Sequence, residues 1–369
     1  MDYNAIPKLG FGLMRLPMNG EEVDIPQACR MADKFIEAGF TYFDTARGYI
    51  GGLSEKAVKP MLSDRYPRDA FVLADKYSWW CVKEGDSEAY FNSQLEITGA
   101  GYFDFYLLHA IDSESLVKYN ELSAWEFVAE KKKQGLVKNM GFSFHDTAEV
   151  LDGILQAHPE VDFVQLQLNY NDWEHDKIQS RLCYETARKH GKNVIVMEPV
   201  KGGSLAVLPE EAQKLLSAVA PSYTPAGMAL RFVASLEGII TVLSGMSNEV
   251  QAADNIATMS SFEPLSEAEA DAVEAVAEIL KNAPTVGCTN CKYCTENCPT
   301  GIPIPSIIRG SYNSYVTFNN LELARSRYKE ATKDKVAASQ CVACGLCEQV
   351  CPQKLPIISL MEKSAGLFE

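Results

Sequence analysis

Eight cysteines carry the clearest chemistry in this 369-residue chain. Cys288, Cys291, Cys294 and Cys298 follow the spacing C-x2-C-x2-C-x3-C, and Pro299 comes next. The run returns 53 residues later as Cys341, Cys344, Cys347 and Cys351, followed by Pro352. The likeness continues past it, since CPTGIPIPSII at 298–308 matches CPQKLPIISLM at 351–361. Three closely spaced thiolates wrap a compact loop round one face of an iron–sulfide cube, and the fourth, before proline, ligates the other cube. The spacing predicts one [4Fe–4S] cluster on Cys288, Cys291, Cys294 and Cys351, and a second on Cys341, Cys344, Cys347 and Cys298. Zinc also takes four cysteines, but its loops use two CxxC pairs with a longer gap between them.

A second set of reactive side chains recurs at a regular interval. Gly12, Asp44, Lys76, His109 and Ser143 follow one another at 32, 32, 33 and 34 residues. Stepping along the chain, short apolar runs at 9–14, 41–44, 71–75, 105–109, 138–143, 163–167, 194–197 and 239–243 read as strands. Amphipathic stretches such as 25–39, 87–98, 120–134 and 178–191 read as helices between them. Gly39, Gly135 and Gly191 stand where a helix end calls for a left-handed residue. Eight strands alternating with helices predict parallel pairing and a (β/α)8 TIM barrel, an α/β fold of roughly 250 residues. A doubly wound sheet is the competing architecture, but the first strand carries only Gly10 and Gly12 and no GxGxxG follows it. In a barrel the five spaced residues end their strands on one rim, where barrel enzymes keep their chemistry. Tyr49 lies on the loop after Asp44. A tyrosine is a poor acid near neutral pH unless a cation stabilises its phenolate. Lys76 can supply that charge, and Asp44 can hold Lys76 protonated. Tyr77, Trp79 and Trp80 follow Lys76 and read either as an apolar substrate wall or as a shield over the rim.

FDTARGY at 43–49, LADK at 73–76 and YLLH at 106–109 resemble the aspartate, tyrosine, lysine and histidine segments of aldo-keto reductases, over roughly residues 8 to 258. The resemblance implies Tyr49 as general acid towards a carbonyl oxygen, Lys76 and Asp44 as its tuning pair, and His109 orienting the carbonyl. It implies hydride from NAD(H) or NADP(H) lying across the rim. Gly12 counts among its nucleotide-binding positions, with Ser143 and Gln165 near the carboxamide. Gly202, Gly203 and Ser204 would then approach the pyrophosphate, and Asp254 and Asn255 the adenine. Three departures stand out. Phe144 replaces the asparagine that commonly follows the serine, and Met197 replaces the aromatic that stacks on the nicotinamide. Gly245 and Gln251 replace the lysine and arginine that grip a 2′-phosphate. Neither makes a charged phosphate contact, so a weak preference for NADPH, or none, is expected. The tail from 287 to about 361 resembles bacterial-type dicluster ferredoxins, with a longer helical gap between the copies.

The expected organisation is a barrel over 1–262, a linker helix within 263–286 opened by a capping box of Ser266 and Glu269, and a small helical dicluster ferredoxin-like domain over 287–369. With 49 acidic against 34 basic residues, a net charge of -15 argues against a nucleic-acid partner. No apolar run is long enough for a membrane span. MDYNAIPKLG shows no basic stretch followed by an apolar one, so a cytoplasmic protein with reduced thiols is expected. Cys29, Cys81 and Cys183 show no ligand spacing. A hydride carries two electrons whereas a [4Fe–4S] cluster passes one at a time, so three readings stand open. The first is an NAD(P)H-dependent reductase of a small carbonyl substrate whose clusters relay electrons. The second is a reductase fed through its clusters by ferredoxin or another carrier, with or without a flavin and without nicotinamide. The third is a non-catalytic electron-transfer or redox-sensing protein.

Overall fold

The computed structural model describes residues 3–369. Eight parallel strands close into a barrel: β1 Leu9–Gly12, β2 Tyr42–Asp44, β3 Val72–Tyr77, β4 Phe103–Ile111, β5 Val137–Phe144, β6 Phe163–Gln167, β7 Asn193–Met197 and β8 Ile239–Gly245. Each strand pairs with its neighbours in chain order, and β1 closes the ring against β8 through Gly12 opposite Gly245. Side chains alternate across a strand, so each contributes one set to the barrel interior and one to the helix layer. Tyr42, Ala74, Phe105, Leu107, Phe163 and Ile195 form the apolar interior. Phe11, Phe43, Leu73, Tyr106, Phe142 and Val164 belong to the outer core beneath the helices. Gly141 is required by this packing, because a Cβ there would lie 2.5 Å from the Phe163 carbonyl oxygen.

Helices Ile25–Glu37, Ser87–Thr98, Ala148–Ala157 and Ser180–Lys189 pack around the strands. Asp24 and Asp86 cap the first two, their carboxylates accepting from Gln27 N and Ala89 N. The helix expected at 120–134 is in fact two, Ser115–Glu121 and Ala124–Lys133. Ser123 between them adopts φ 48°, which no periodicity reports. A short antiparallel hairpin, Met18–Asn19 with Glu22–Val23, was not foreseen.

The chain forms two compact units. One runs to Gly202 and resumes over Gly227–Glu267; the other comprises Gly203–Ala226 and Ala268–Glu369. The second unit holds helices Glu210–Val219 and Glu267–Lys281, the latter burying Ala272, Val273, Val276 and Leu280. Its cysteine region repeats in backbone as well as in sequence. Asn290, Lys292 and Gly301 have positive φ, and so do Ala343, Gly345 and Lys354, 53 residues on. Helical segments then begin at Ile304 and at Ile357, again 53 apart. Among the described residues no helix is long and apolar enough to cross a membrane.

Candidate active site

Asp44 shares the inward face of β2 with Tyr42, and Lys76 that of β3 with Ala74, so period-2 alternation delivers both charges to the barrel mouth. Both are buried, Lys76 completely. Lys76 Nζ donates to Asp44 Oδ1 at 2.6 Å and to the Thr45 carbonyl at 2.9 Å. Gln165 Nε2, from β6, donates to the other Asp44 oxygen at 3.3 Å. The Lys76 ammonium lies 4.7 Å from the centroid of the Tyr49 ring. Tyr49 opens a turn in which Ile50, Gly51 and Gly52 all have positive φ, reversing the chain into helix Leu53–Val58. That loop is tied down by Thr45 Oγ1 to Ser54 Oγ at 2.7 Å and by an Arg47–Glu55 ion pair.

His109 meets this set from β4, where the register shifts between Leu108 and Ile111 and Ala110 takes φ 55°. Such a bulge re-aims the side chain beside it. The bulge is held by Ala110 N–H donating to Ser143 Oγ at 2.7 Å and by Ser115 Oγ donating to the Ala110 carbonyl at 3.1 Å. The Tyr119 hydroxyl donates to the His109 carbonyl. His109 Nδ1 pairs with Ser78 Oγ at 2.8 Å, which leaves Nε2 as the unengaged ring nitrogen. The Tyr49 ring stands 5.7 Å from the His109 ring, edge to face, and the Trp80 ring 5.1 Å from it.

The electrostatics follow from burial. Desolvation raises Tyr49 to about 12 against the opposing pull of Lys76. Lys76 also stands at about 12, because the Asp44 and Tyr49 charges outweigh its burial. Burial, then the Lys76 and His145 charges, hold His109 far below the ordinary histidine range. At neutral pH the set is therefore a protonated phenol, an ammonium and a neutral imidazole around one opening. This arrangement can donate a proton to an oxygen and stabilise the phenolate left behind.

Gly12 pairs with Asp44 and with Gly245, and Ser143 with Gln165, so these expected nucleotide positions do share the rim. Gly202 and Gly203 have φ 61° and 91° and offer backbone without side chain. Asp254 is half-buried on helix Glu249–Ser260. Four of the expected positions already have a polar partner: Ser143 accepts from Ala110 N–H and Gln165 donates to Asp44, and the other two are Ser204 and Asn255. Ser204 is fully buried in the second unit, its hydroxyl accepting from Arg327 at 2.7 Å. Asn255 is buried with its amide donating to Ser244 Oγ at 2.8 Å. Gln251 closes its own loop, accepting from Ser247 N at 2.8 Å. A hydroxyl and an amide beside the acid, with the side-chain-free backbone of Gly202 after β7, form a donor set that fits a nicotinamide nucleotide.

Sequence reasoning misassigned Tyr77, which points outward, is fully buried against Tyr90, Tyr119 and Phe127, and reaches Ser87 at 2.5 Å. Trp80 is 45% exposed at the mouth. It missed Ser78, whose position two residues after Lys76 is the signal that places it near the rim. It also missed Asp172, fully buried and paired with Lys201.

In the second unit the cysteines ring two small pockets. Cys288, Cys291, Cys294 and Cys351 line one; Cys298, Cys341, Cys344 and Cys347 line the other. The fourth cysteine of each run thus faces the pocket of the other run. Ile304 and Ile357, equivalent in the repeat, line both. Among the described residues no three His, Cys, Asp or Glu side chains converge tightly enough for a single metal ion. Soft thiol ligands ringing a pocket that also presents Ile304 and Ile357 fit an iron–sulfur cube.

A sequence model of the aldo/keto reductase family matches residues 8–278, and one of the 4Fe-4S dicluster domain matches residues 287–356. Methylglyoxal reductase DkgA of Escherichia coli O157:H7 is 26% identical over 240 residues, covering 63% of this chain and 76% of that protein. Among solved structures, an aldo-keto reductase from Bacillus halodurans in its holo form superposes with TM-score 0.57 at 23% identity. It covers 73% of this chain and 92% of its own. An aldo-keto reductase from Klebsiella pneumoniae in complex with NADPH gives TM-score 0.60 at 20% identity, covering 74% and 91%. At these identities the structural likeness speaks for the barrel fold alone.

Proposed function

Because the chain belongs to the aldo/keto reductase family, and is an oxidoreductase carrying a 4Fe-4S dicluster domain, we propose that it reduces a small carbonyl compound at the Tyr49 site. The observation that carries this reading is the buried Asp44–Lys76 pair at 2.6 Å with its ammonium 4.7 Å from the Tyr49 ring. A nicotinamide nucleotide, when bound, supplies the hydride that reduces the carbonyl carbon. Tyr49 gives its phenolic proton to the carbonyl oxygen. Lys76 stabilises the resulting phenolate, and Asp44 keeps Lys76 charged and in place. Neutral His109, braced through Nδ1 by Ser78, offers Nε2 to the same oxygen and orients it. Trp80 supplies an apolar wall at the mouth. Gly12, Ser143, Gln165, Gly202, Gly203 and Asp254 are the residues assigned to the nucleotide. Asn255, whose amide donates to Ser244 Oγ, and Ser204, whose hydroxyl accepts from Arg327, are bonded as Ser143 and Gln165 are, so that bonding alone does not remove them from the set.

The tail is assigned two [4Fe–4S] clusters, one on Cys288, Cys291, Cys294 and Cys351 and one on Cys341, Cys344, Cys347 and Cys298. When present they supply one-electron transfer, in exchange with ferredoxin or another carrier. The cytoplasm, where thiols stay reduced, is the compartment this chemistry suits. A second reading, a cluster-fed reductase without nicotinamide and with or without flavin, draws its support from Gly245 and Gln251, which carry no phosphate-binding charge. One experiment separates the two. The protein is purified without oxygen, and NADH is added with and without flavin while cluster absorbance and methylglyoxal reduction are followed. Turnover with NADH that collapses in Tyr49→Phe supports the first reading; turnover with reduced ferredoxin alone replaces it with the second.

A further inference from the structure

Arg15 ends the turn Leu13–Arg15 that follows β1 on the catalytic rim. A Cβ built on Gly245 would lie 3.1 to 3.3 Å from Arg15 Cδ, Cγ and Cβ, and one built on Gly202 would lie 3.2 Å from Arg15 Nη2. The stem of Arg15 therefore runs over Gly245, and its guanidinium ends beside Gly202. Both glycines leave space that this one side chain fills. The Arg15 side chain is exposed and makes no hydrogen bond or ion pair with any described residue. The rim lysines differ, since Lys76 spends its charge on Asp44 and Lys201 on Asp172. A Glu198 carboxylate oxygen lies 3.7 Å from the same Gly202 Cβ position, without an ion pair to Arg15.

We propose that Arg15 holds the diphosphate of the bound pyridine dinucleotide, an inference that rests on the nicotinamide reading above. A guanidinium presents a planar fork of donors that matches two phosphate oxygens, and it stays charged at any working pH. β1 pairs with β8, so an arginine leaving β1 reaches the space above Gly245 that a side chain from β8 would otherwise occupy. The cation at this corner arrives from the neighbouring strand. Its charged end lies beside Gly202, so it acts on the diphosphate common to NADH and NADPH.

The test is titration of anaerobically purified full-length protein with NADH, NADPH and ADP-ribose, followed by calorimetry, with melting recorded for each variant. Arg15→Met is expected to weaken all three by a similar factor, roughly 10- to 100-fold, as loss of a charge-assisted contact implies. The salt dependence of binding should flatten in parallel, and Arg15→Lys should recover part of the affinity. Arg15→Gln repeats the measurement should Arg15→Met fail to fold. Unchanged affinity for all three ligands overturns the assignment, as does a loss confined to NADPH, which would put the contact on the 2′-phosphate. If the wild type itself binds none of the three, the nicotinamide reading fails and takes this inference with it. Wild-type binding that survives in the variants sinks the Arg15 assignment alone.

Discussion

Asp44 Oδ1 lies 2.6 Å from Lys76 Nζ in direct ion-pair contact. Both groups are buried, so each is the other's compensation for lost water. Removing one partner should destabilise the protein by about 3–5 kcal/mol, because a lone buried charge remains. Asp44→Asn and Lys76→Met should each show that loss in chemical denaturation, while the double variant costs less than their sum. Additive losses would mean that the two charges do not depend on each other.

Tyr49 and Lys76 both stand at about 12, with burial the main upward force on the phenol. The phenol is protonated below that value, so the reductive direction keeps its acid across the whole neutral and mildly basic range. The pH profile of kcat/KM for carbonyl reduction should therefore carry no basic limb attributable to Tyr49 up to about pH 10. Tyr49→Phe should lower turnover by roughly 10²- to 10⁴-fold, the usual worth of a positioned general acid. A basic limb near pH 7 that vanishes in Tyr49→Phe would contradict the order of these acidities.

His109 titrates far below an ordinary histidine, chiefly because it is buried. The unfolded chain takes up this proton near pH 6.5, before the folded protein does, so folding stability must fall as pH drops below that value. His109→Asn removes the group and should flatten the dependence of melting temperature on pH between about 6.5 and 4.5 relative to the wild type. Parallel slopes for the two proteins would show that His109 is not held neutral by the fold.

The two cysteine pockets make a distinct prediction for paired substitutions. With crossed fourth ligands, Cys298→Ala and Cys341→Ala damage the same cluster, so this double variant should retain about four of about eight irons per chain. Cys298→Ala with Cys288→Ala damages both clusters and should retain fewer. Iron analysis of anaerobic preparations gives the answer, and the reverse ranking would assign each run its own four ligands.

Much of the architecture was legible because its signals are local. Buried parallel strands are short apolar runs, and all eight were placed within about two residues of their observed ends; β6 matched at both. The interval between Gly12, Asp44, Lys76, His109 and Ser143 is one β/α unit, and closure of the barrel carries each unit's end to the same rim. What escaped notice is a backbone conformation that residue type does not report. Ser123 breaks a helix by a left-handed turn, Ala110 kinks β4 to aim His109, and neither residue type advertises it. Tyr77 faces away from the rim because it is one residue past Lys76, and alternation turns it to the helix layer.

By itself, then, the sequence determined which residue types could do chemistry and the period on which they recur, because covalent spacing and strand alternation are properties of one chain segment. Tertiary structure alone decided which of them share an environment. Burial sets Tyr49, Lys76 and His109 in their protonation states. Closure of β1 on β8 sends Arg15 into the space left by Gly245. Desolvation and the filling of space depend on every neighbour at once, and those neighbours are assembled only when the barrel closes.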